Sequence, residues 1–307
     1  MKSRNQIGQT RVDRVFDVCN VIFMALIILI MAYPLYFTII ASISDPNEVA
    51  LGNILFVPHG FTLEAYENVF RNDSIWLGYF NSLRNTVFGT LLALFLTIPP
   101  AYALSKQELP GRTAINWIFL FTMYFGGGMI PYYLVVRSLN LLDKPYTVII
   151  LCGGCGVMNM IITRTYYKTS ISQSIYEAAY IDGSSELNTF VKIALPLSKP
   201  IIAVIALYCA VGLWNEYMTT LIYTSSRDYQ TLQLVLRQIL ILNQKLISQI
   251  DFASDDGSAV ETAQRMAYMA QAMKYSVIII ASLPMLIAYP FVQKYFVKGM
   301  MIGSLKG

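Results

Sequence analysis

Few residues of this 307-residue chain are equipped for covalent chemistry. His59 is the single histidine and has no metal-ligand companion. Cys152-Gly-Gly-Cys155 is one C-x-x-C pair inside an apolar stretch, and a zinc site would need a second pair. Helix packing by small residues suits it better than zinc or redox work. No G-x-x-x-x-G-K-[ST], H-E-x-x-H or G-x-S-x-G sequence occurs, so the chain has no phosphate-cradling loop, zincin site or nucleophile elbow. Two other groups stand out. Trp214-Asn215-Glu216-Tyr217 sets a carboxylate and an amide beside aromatic rings inside an apolar run. Glu177-Ala178-Ala179 sets a carboxylate beside a small-residue surface in a hydrophilic one.

The elements that must position these groups follow from composition. Hydrophobic residues make up 56% of the chain and charged ones 13%, about half the charged share of a soluble domain. That excludes disordered, collagen-like, disulfide-scaffold and nucleic-acid-binding classes and leaves a polytopic membrane protein. A bilayer core about 30 Å thick needs roughly 20 residues of helix. Six charge-free runs of that order occur, at 18–44, 85–105, 113–136, 145–163, 200–215 with an apolar continuation past Glu216, and 275–293. The expected fold is therefore all-α with six transmembrane helices. The first run is too long for a signal h-region and reads as a retained helix.

Orientation follows from the basic residues. Alternate loops hold Lys2, Arg4, Arg11 and Arg14, then Lys106 and Arg112, then Arg164, Lys168, Lys192 and Lys199, then Lys294, Lys298 and Lys306. The opposite loops hold most of the acids. The positive-inside rule then puts both termini and the 165–200 loop in the cytoplasm and loops 45–82 and 223–274 outside. The expected organisation is a cytoplasmic N-terminus at 1–15, a first helix at 16–44, a five-helix core at 83–296 and a cytoplasmic tail at 297–307. In the first outer loop Thr62 is placed to cap a short helix bearing Leu63, Tyr66 and Phe70 on one side. The second carries Leu232, Leu236, Ile239 and Leu240 at helical spacing.

The 165–200 loop reads as two short helices around a turn. Ile171, Ile175, Ala178 and Ala179 make one apolar stripe, and Gly183 falls where a left-handed residue would end that helix. Ser184 or Ser185 can cap the next helix, in which Leu187, Phe190, Val191, Ala194 and Leu195 recur with helical period. Pro196 closes it. Such a shape fits a groove on another protein, the alternative being a solvated connector.

An ionisable residue within the bilayer costs about 2.5–3.5 kcal/mol on insertion scales. Trp214, Asn215, Glu216 and Tyr217 therefore read either as lining for a polyhydroxylated substrate or as an interfacial aromatic belt with a snorkelling acid. Gly126-Gly127-Gly128 followed by Pro131 weakens the third helix and fits a close helix crossing or a gate.

The loop motif, Glu177-Ala178-Ala179, three residues, Gly183, nine residues, Ile193-x-Leu195-Pro196, resembles the EAA loop of permease subunits of ATP-binding-cassette importers. Asp182, Phe190 and Pro200 resemble the carbohydrate branch, in particular maltose-permease G-type and polysaccharide-permease relatives. Asn85-Thr86, Phe125 to Pro131, Leu232 to Leu240 and the terminal Gly303-Ser-Leu-Lys-Gly307 extend the likeness over nearly the whole chain. The resemblance implies a type I importer permease moving an oligosaccharide inward by alternating access. It implies that Glu177 pairs with a basic residue of a cytosolic ATPase, that Gly183 makes the turn, and that Ile193 and Leu195 pack on the permease's own helices. Implied partners are two ATPases that bind ATP and Mg, a second permease, membrane lipid and an extracellular solute-binding lipoprotein, with no cofactor, metal or nucleic acid on this chain. The 223–274 loop would reach toward the binding protein, and the tail would insert between the ATPases. The rival readings are an importer for a non-sugar solute, a membrane-embedded enzyme and a secondary transporter. The last would show paired broken helices with midplane charges, and a catalytic constellation is missing for the enzyme.

Overall fold

The computed structural model describes residues 11–250, 268–269, 272–287 and 289–290. The expected tail at 297–307 and much of the 223–274 loop lie outside the described residues. Every regular element among those described is helical. In chain order these are α1 (Arg11–Ser42), α2 (Pro46–Leu51), α3 (Glu64–Phe70), α4 (Asp73–Ser105), α5 (Arg112–Tyr124), α6 (Met129–Ser138), α7 (Thr147–Cys152) and α8 (Val157–Thr169). Then come α9 (Gln173–Ile181), α10 (Glu186–Thr189), a π-helical turn (Phe190–Ala194), α11 (Leu195–Leu197), α12 (Lys199–Trp214), α13 (Met218–Tyr223) and α14 (Leu232–Ile250). A last apolar helix, α15, runs over Ala272–Ile287. The chain divides into two compact units, Met1–Arg71 with Leu240–Ile280 and Asn72–Ile239 with Ala281–Gly307.

In the first unit α1 is long and apolar enough to cross a bilayer, and its spanning stretch is unburied. Its last turns pack Ile40 and Ala41 against Val49 and Ile54, and Tyr36 donates to the Phe56 carbonyl at 2.5 Å. Thr62 accepts from the Glu64 N–H at the start of α3, 3.2 Å away. The expected apolar face of α3 is only partly inward: Tyr66 is half-buried and donates to the Ser42 hydroxyl at 2.9 Å. Leu63 and Phe70 are exposed while Ala65 and Val69 are buried.

In the second unit α4 is the axis, and α7, α8 and α12 pack on it. Its buried positions include Gly78, Asn81, Ser82, Asn85, Gly89, Ala93, Thr97, Ala101 and Leu104, a small-residue stripe that lets backbones approach closely. α4 begins at Asp73, capped by Asn72, ten residues inside the stretch expected as outer loop. A charge-free run marks what can enter lipid, whereas helix formation continues into polar sequence. Asn81 donates to the carbonyls of Asp228 and Gln230 at 2.8 and 3.0 Å, and Ser82 accepts from the Leu232 N–H at 2.9 Å. These bonds tie the start of α14 to α4.

Three expected spans are interrupted. The 113–136 run splits into α5 and α6, bent by 113° at Phe125 to Gly128. The 145–163 run splits at residues 153–156, and the apolar stretch past Glu216 becomes α13 after a break at 215–217. By length and composition, two described helices can cross a membrane, or up to four segments if each bent pair is one span.

Candidate functional site

α9 is the short helix that carries Glu177. Its C-terminus closes in a Schellman motif: the Gly183 N–H donates to the Tyr180 carbonyl at 3.0 Å and the Ser184 N–H to the Ala179 carbonyl at 2.9 Å. Gly183 has φ +71° and open space where a Cβ would stand. Glycine is needed here for backbone conformation, not for room. Ser185 caps α10 by accepting from the Asn188 N–H at 3.3 Å.

The faces of α9 differ from the expected stripe. Ile171 and Ala179 are buried, but Ile175 and Ala178 are exposed, and Tyr176 takes the inward position at 3% exposure. A tyrosine buries more apolar area than alanine there, and its neighbours are aromatic. Glu177, Ala178, Ile181 and Asp182 remain outward, with Ile181 87% exposed. The loop thus presents a carboxylate, a methyl group and an uncovered isoleucine together.

Beneath them, Tyr176 joins Tyr102 and Leu104 of α4, Met160 and Tyr167 of α8 and Ala194 in one buried cluster. Tyr102 has ring centroids of Phe190, Tyr167 and Tyr176 at 4.9, 5.5 and 6.1 Å, and its hydroxyl donates to Glu186 Oε2 at 3.2 Å. Lys106 Nζ sits over the rings of Tyr176, Tyr102 and Tyr180 at 3.7, 5.0 and 5.5 Å. Burial holds that ammonium below its ordinary value, against the opposing pull of Glu186. Burial, with Tyr167 and Glu186 nearby, pushes the Tyr176 hydroxyl up to about 12. This lysine–tyrosine anchor was not among the expected site residues. The signal was present in the run of tyrosines and in Lys106 at the end of a span.

The second half of the loop is not a regular helix. The Leu195 N–H donates to the Phe190 carbonyl five residues back, and Pro196 has no N–H to restore the α pattern. The wider turn leaves Leu187 and Val191 exposed, at 73% and 49%, while Ala194 is fully buried. Leu195 packs on the tyrosine cluster, Ile193 is half-buried and Pro196 exposed.

The second group of expected site residues is dispersed. Trp214 is buried, its indole N–H donating to the Ala281 carbonyl at 3.0 Å and its ring meeting Tyr79 edge-on at 5.6 Å. Asn215 is exposed and donates to the Val211 carbonyl. Glu216 Oε1 accepts from the Thr219 N–H at 2.6 Å, capping α13. Tyr217 lies under Arg237 at 5.2 Å. Gly126, Gly127 and Gly128 are exposed, and a Cβ on Gly126 or Gly127 would meet nothing of this chain within 4 Å. Within this chain a close backbone approach occurs at Gly153, whose Cβ would lie 2.9 Å from the Gly89 carbonyl oxygen and closer still to the Ile149 carbonyl oxygen of α7. Cys152 and Cys155 are free, and Cys152 Sγ donates to the Thr219 hydroxyl at 3.3 Å.

Residues 74–302 match the family model of the binding-protein-dependent transport system inner membrane component. The chain belongs to this family. It is 41% identical to Protein LplC of Bacillus subtilis (strain 168) over the whole of both chains. It is 38% identical to the polygalacturonan/rhamnogalacturonan transport system permease protein YtcP of the same organism, over 96% of this chain and 99% of that one. Among solved structures it is similar to a chain of a bacterial ABC transporter involved in the import of the acidic polysaccharide alginate. The TM-score is 0.81 at 32% identity, covering 94% of this chain and 99% of the other. The expected importer-permease family is therefore correct, and the chain is a helical membrane component with the type I permease fold.

Proposed function

We propose that this chain is one of two permease subunits of an ATP-driven importer that carries an oligosaccharide into the cell by alternating access, and that it crosses the membrane six times with both termini cytoplasmic. The single observation that carries the coupling role is the outward Glu177–Ala178–Ile181 face, held on a helix whose opposite side is fixed to α4 and α8. A rigid knob of this kind transmits displacement of a bound ATPase to the membrane helices. ATP and Mg belong to two partner ATPases, and a solute-binding lipoprotein delivers the sugar. Three features support a carbohydrate cargo: the polysaccharide named for YtcP, the alginate named for the solved transporter and the maltodextrin named for MdxG of Bacillus subtilis (strain 168), 25% identical. Two of these names denote acidic polymers, which favours uronate-containing oligosaccharides over neutral ones.

The test is reconstitution of the co-purified complex with ATPase stimulation and uptake measured across neutral and uronate oligosaccharides. Glu177→Lys should leave assembly intact and abolish sugar-stimulated uptake. Unchanged uptake would sink the coupling assignment, and stimulation by an amino acid or phosphate alone would sink the carbohydrate one.

A further inference from the structure

A cavity of about 230 Å³ opens between α5 and α8, on the side of the loop bearing Glu177. Arg112, Arg164 and Lys168 line it together with Asn116 and Trp117, and no carboxylate does. None of the three cations is in an ion pair among the described residues. Arg164 donates one guanidinium N–H to Asn116 Oδ1, and Arg112 donates one to the Lys106 carbonyl at 3.3 Å. Each guanidinium carries five donors in a planar fork, so most remain for a ligand. α5 begins at Arg112, which adds the positive end of a helix dipole.

The cavity adjoins an apolar surface. No residue of α5 is buried, and Trp117, Ile118 and Phe121 are each more than three-fifths exposed. A single ligand that satisfies both halves needs an anionic head and long apolar tails. An apolar protein surface closing the same site would leave three desolvated cations without counter-charge, which is costly. We propose that this cavity binds the phosphate headgroup of an anionic phospholipid through Arg112, Arg164 and Lys168, with its acyl chains along α5. All three residues belong to the loops assigned to the cytoplasm by charge, where the leaflet is negative. The proposal rests on the membrane orientation given above.

The assembled importer is tested in detergent by native mass spectrometry against phosphatidylglycerol and phosphatidylcholine of equal chain length. The wild type should retain phosphatidylglycerol preferentially, and inorganic phosphate should not displace it. Arg112→Gln, Arg164→Gln and Lys168→Gln should each weaken retention about fivefold, and the triple variant about 100-fold. A control triple variant at Arg137, Lys144 and Arg227 should retain it. Equal retention of the two lipids by the wild type overturns the proposal without recourse to any variant. So does full displacement by phosphate, equal loss in the control, or the absence of lipid from a complex in which the second permease covers α5. The same spectra score subunit assembly. A complex with its ATPases but no bound phosphatidylglycerol refutes the lipid site alone, whereas a chain that binds the lipid and never assembles refutes the import reading alone.

Discussion

Lys106 Nζ lies 3.7 Å from the ring centroid of Tyr176 and has no hydrogen-bond partner among the described residues. The end of α4 is therefore held to α9 by a cation over aromatic faces. Such an interaction is worth up to about 2 kcal/mol when desolvated, and it resists sliding less than a directional hydrogen-bond network would. Tyr176→Leu leaves the ammonium buried over two more distant rings and should destabilise the complex by about 2–3 kcal/mol. Lys106→Met removes the charge together with its desolvation cost and should change stability by less than about 1 kcal/mol. Thermal unfolding midpoints of both variants test this asymmetry. Equal losses would contradict the cation-over-ring account.

The Tyr176 hydroxyl is buried without a hydrogen-bond partner among the described residues, so Tyr176→Phe should be neutral or stabilising by up to about 1 kcal/mol. Its alkaline behaviour has a definite sign. The folded value of about 12 stands above the ordinary 10.0, so the folded protein keeps a proton that the unfolded chain has lost. The stability contribution is complete below pH 10 and declines from there to about pH 12. Unfolding midpoints measured across that window should fall less steeply in Tyr176→Phe than in the wild type; parallel curves would mean that another of the surrounding groups, Tyr102, Tyr167, Lys106 or Glu186, carries the dependence.

Gly183 should tolerate substitution in the order of left-handed propensity. With nothing within 4 Å of a Cβ, Gly183→Ala loses only the backbone term, about 1–2 kcal/mol, and Gly183→Asn less. Gly183→Pro cannot reach φ +71° and removes the N–H that bonds Tyr180. Uptake in the order glycine, asparagine, alanine, proline is expected, with ATPase binding retained in the first three. Proline at wild-type uptake would show that the turn has no part in coupling.

What the sequence disclosed about this loop was its local backbone chemistry. Gly183 and Ser185 could be placed because a left-handed residue and a cap depend on a few neighbouring atoms. The inward face of α9 could not, since Ile175–Ala178 and Tyr176–Ala179 are both apolar pairs and the tertiary neighbours Tyr102, distant in sequence, and Tyr167, on the preceding helix, decide between them. The π-turn at Phe190–Ala194 escaped for a related reason: it adds one residue to the period and rotates Leu187 and Val191 outward. Hydropathy located the apolar runs but not the breaks at 153–156 and 215–217; the break at 125–128 was marked by its glycines, not by polarity. An interruption of three or four residues hardly changes the average polarity of a span.

Two glycine groups that look alike in sequence should respond in opposite ways. A Cβ on Gly153 would crowd the Ile149 carbonyl oxygen of α7 most closely, and would stand 2.9 Å from the Gly89 carbonyl oxygen and 3.1 Å from the Gly89 Cα. All three are backbone atoms, the two of Gly89 in the axial helix, and none can rotate aside. Gly153→Ala should therefore distort the end of α7 as well as force it away from α4, and destabilise the complex by about 1–3 kcal/mol. Gly126→Ala and Gly127→Ala meet open space and restrict a chain that needs no positive φ there, since only Gly128 of the three has one. They should leave the unfolding midpoint unchanged or raise it by less than about 1 kcal/mol. Uptake then separates the two readings of the glycine triplet. If the bend between α5 and α6 must flex during transport, Gly126→Ala and Gly127→Ala slow uptake at full stability. If the triplet only admits a second chain at close range, they weaken assembly of the two permeases, read as subunit loss during purification, before they alter the rate.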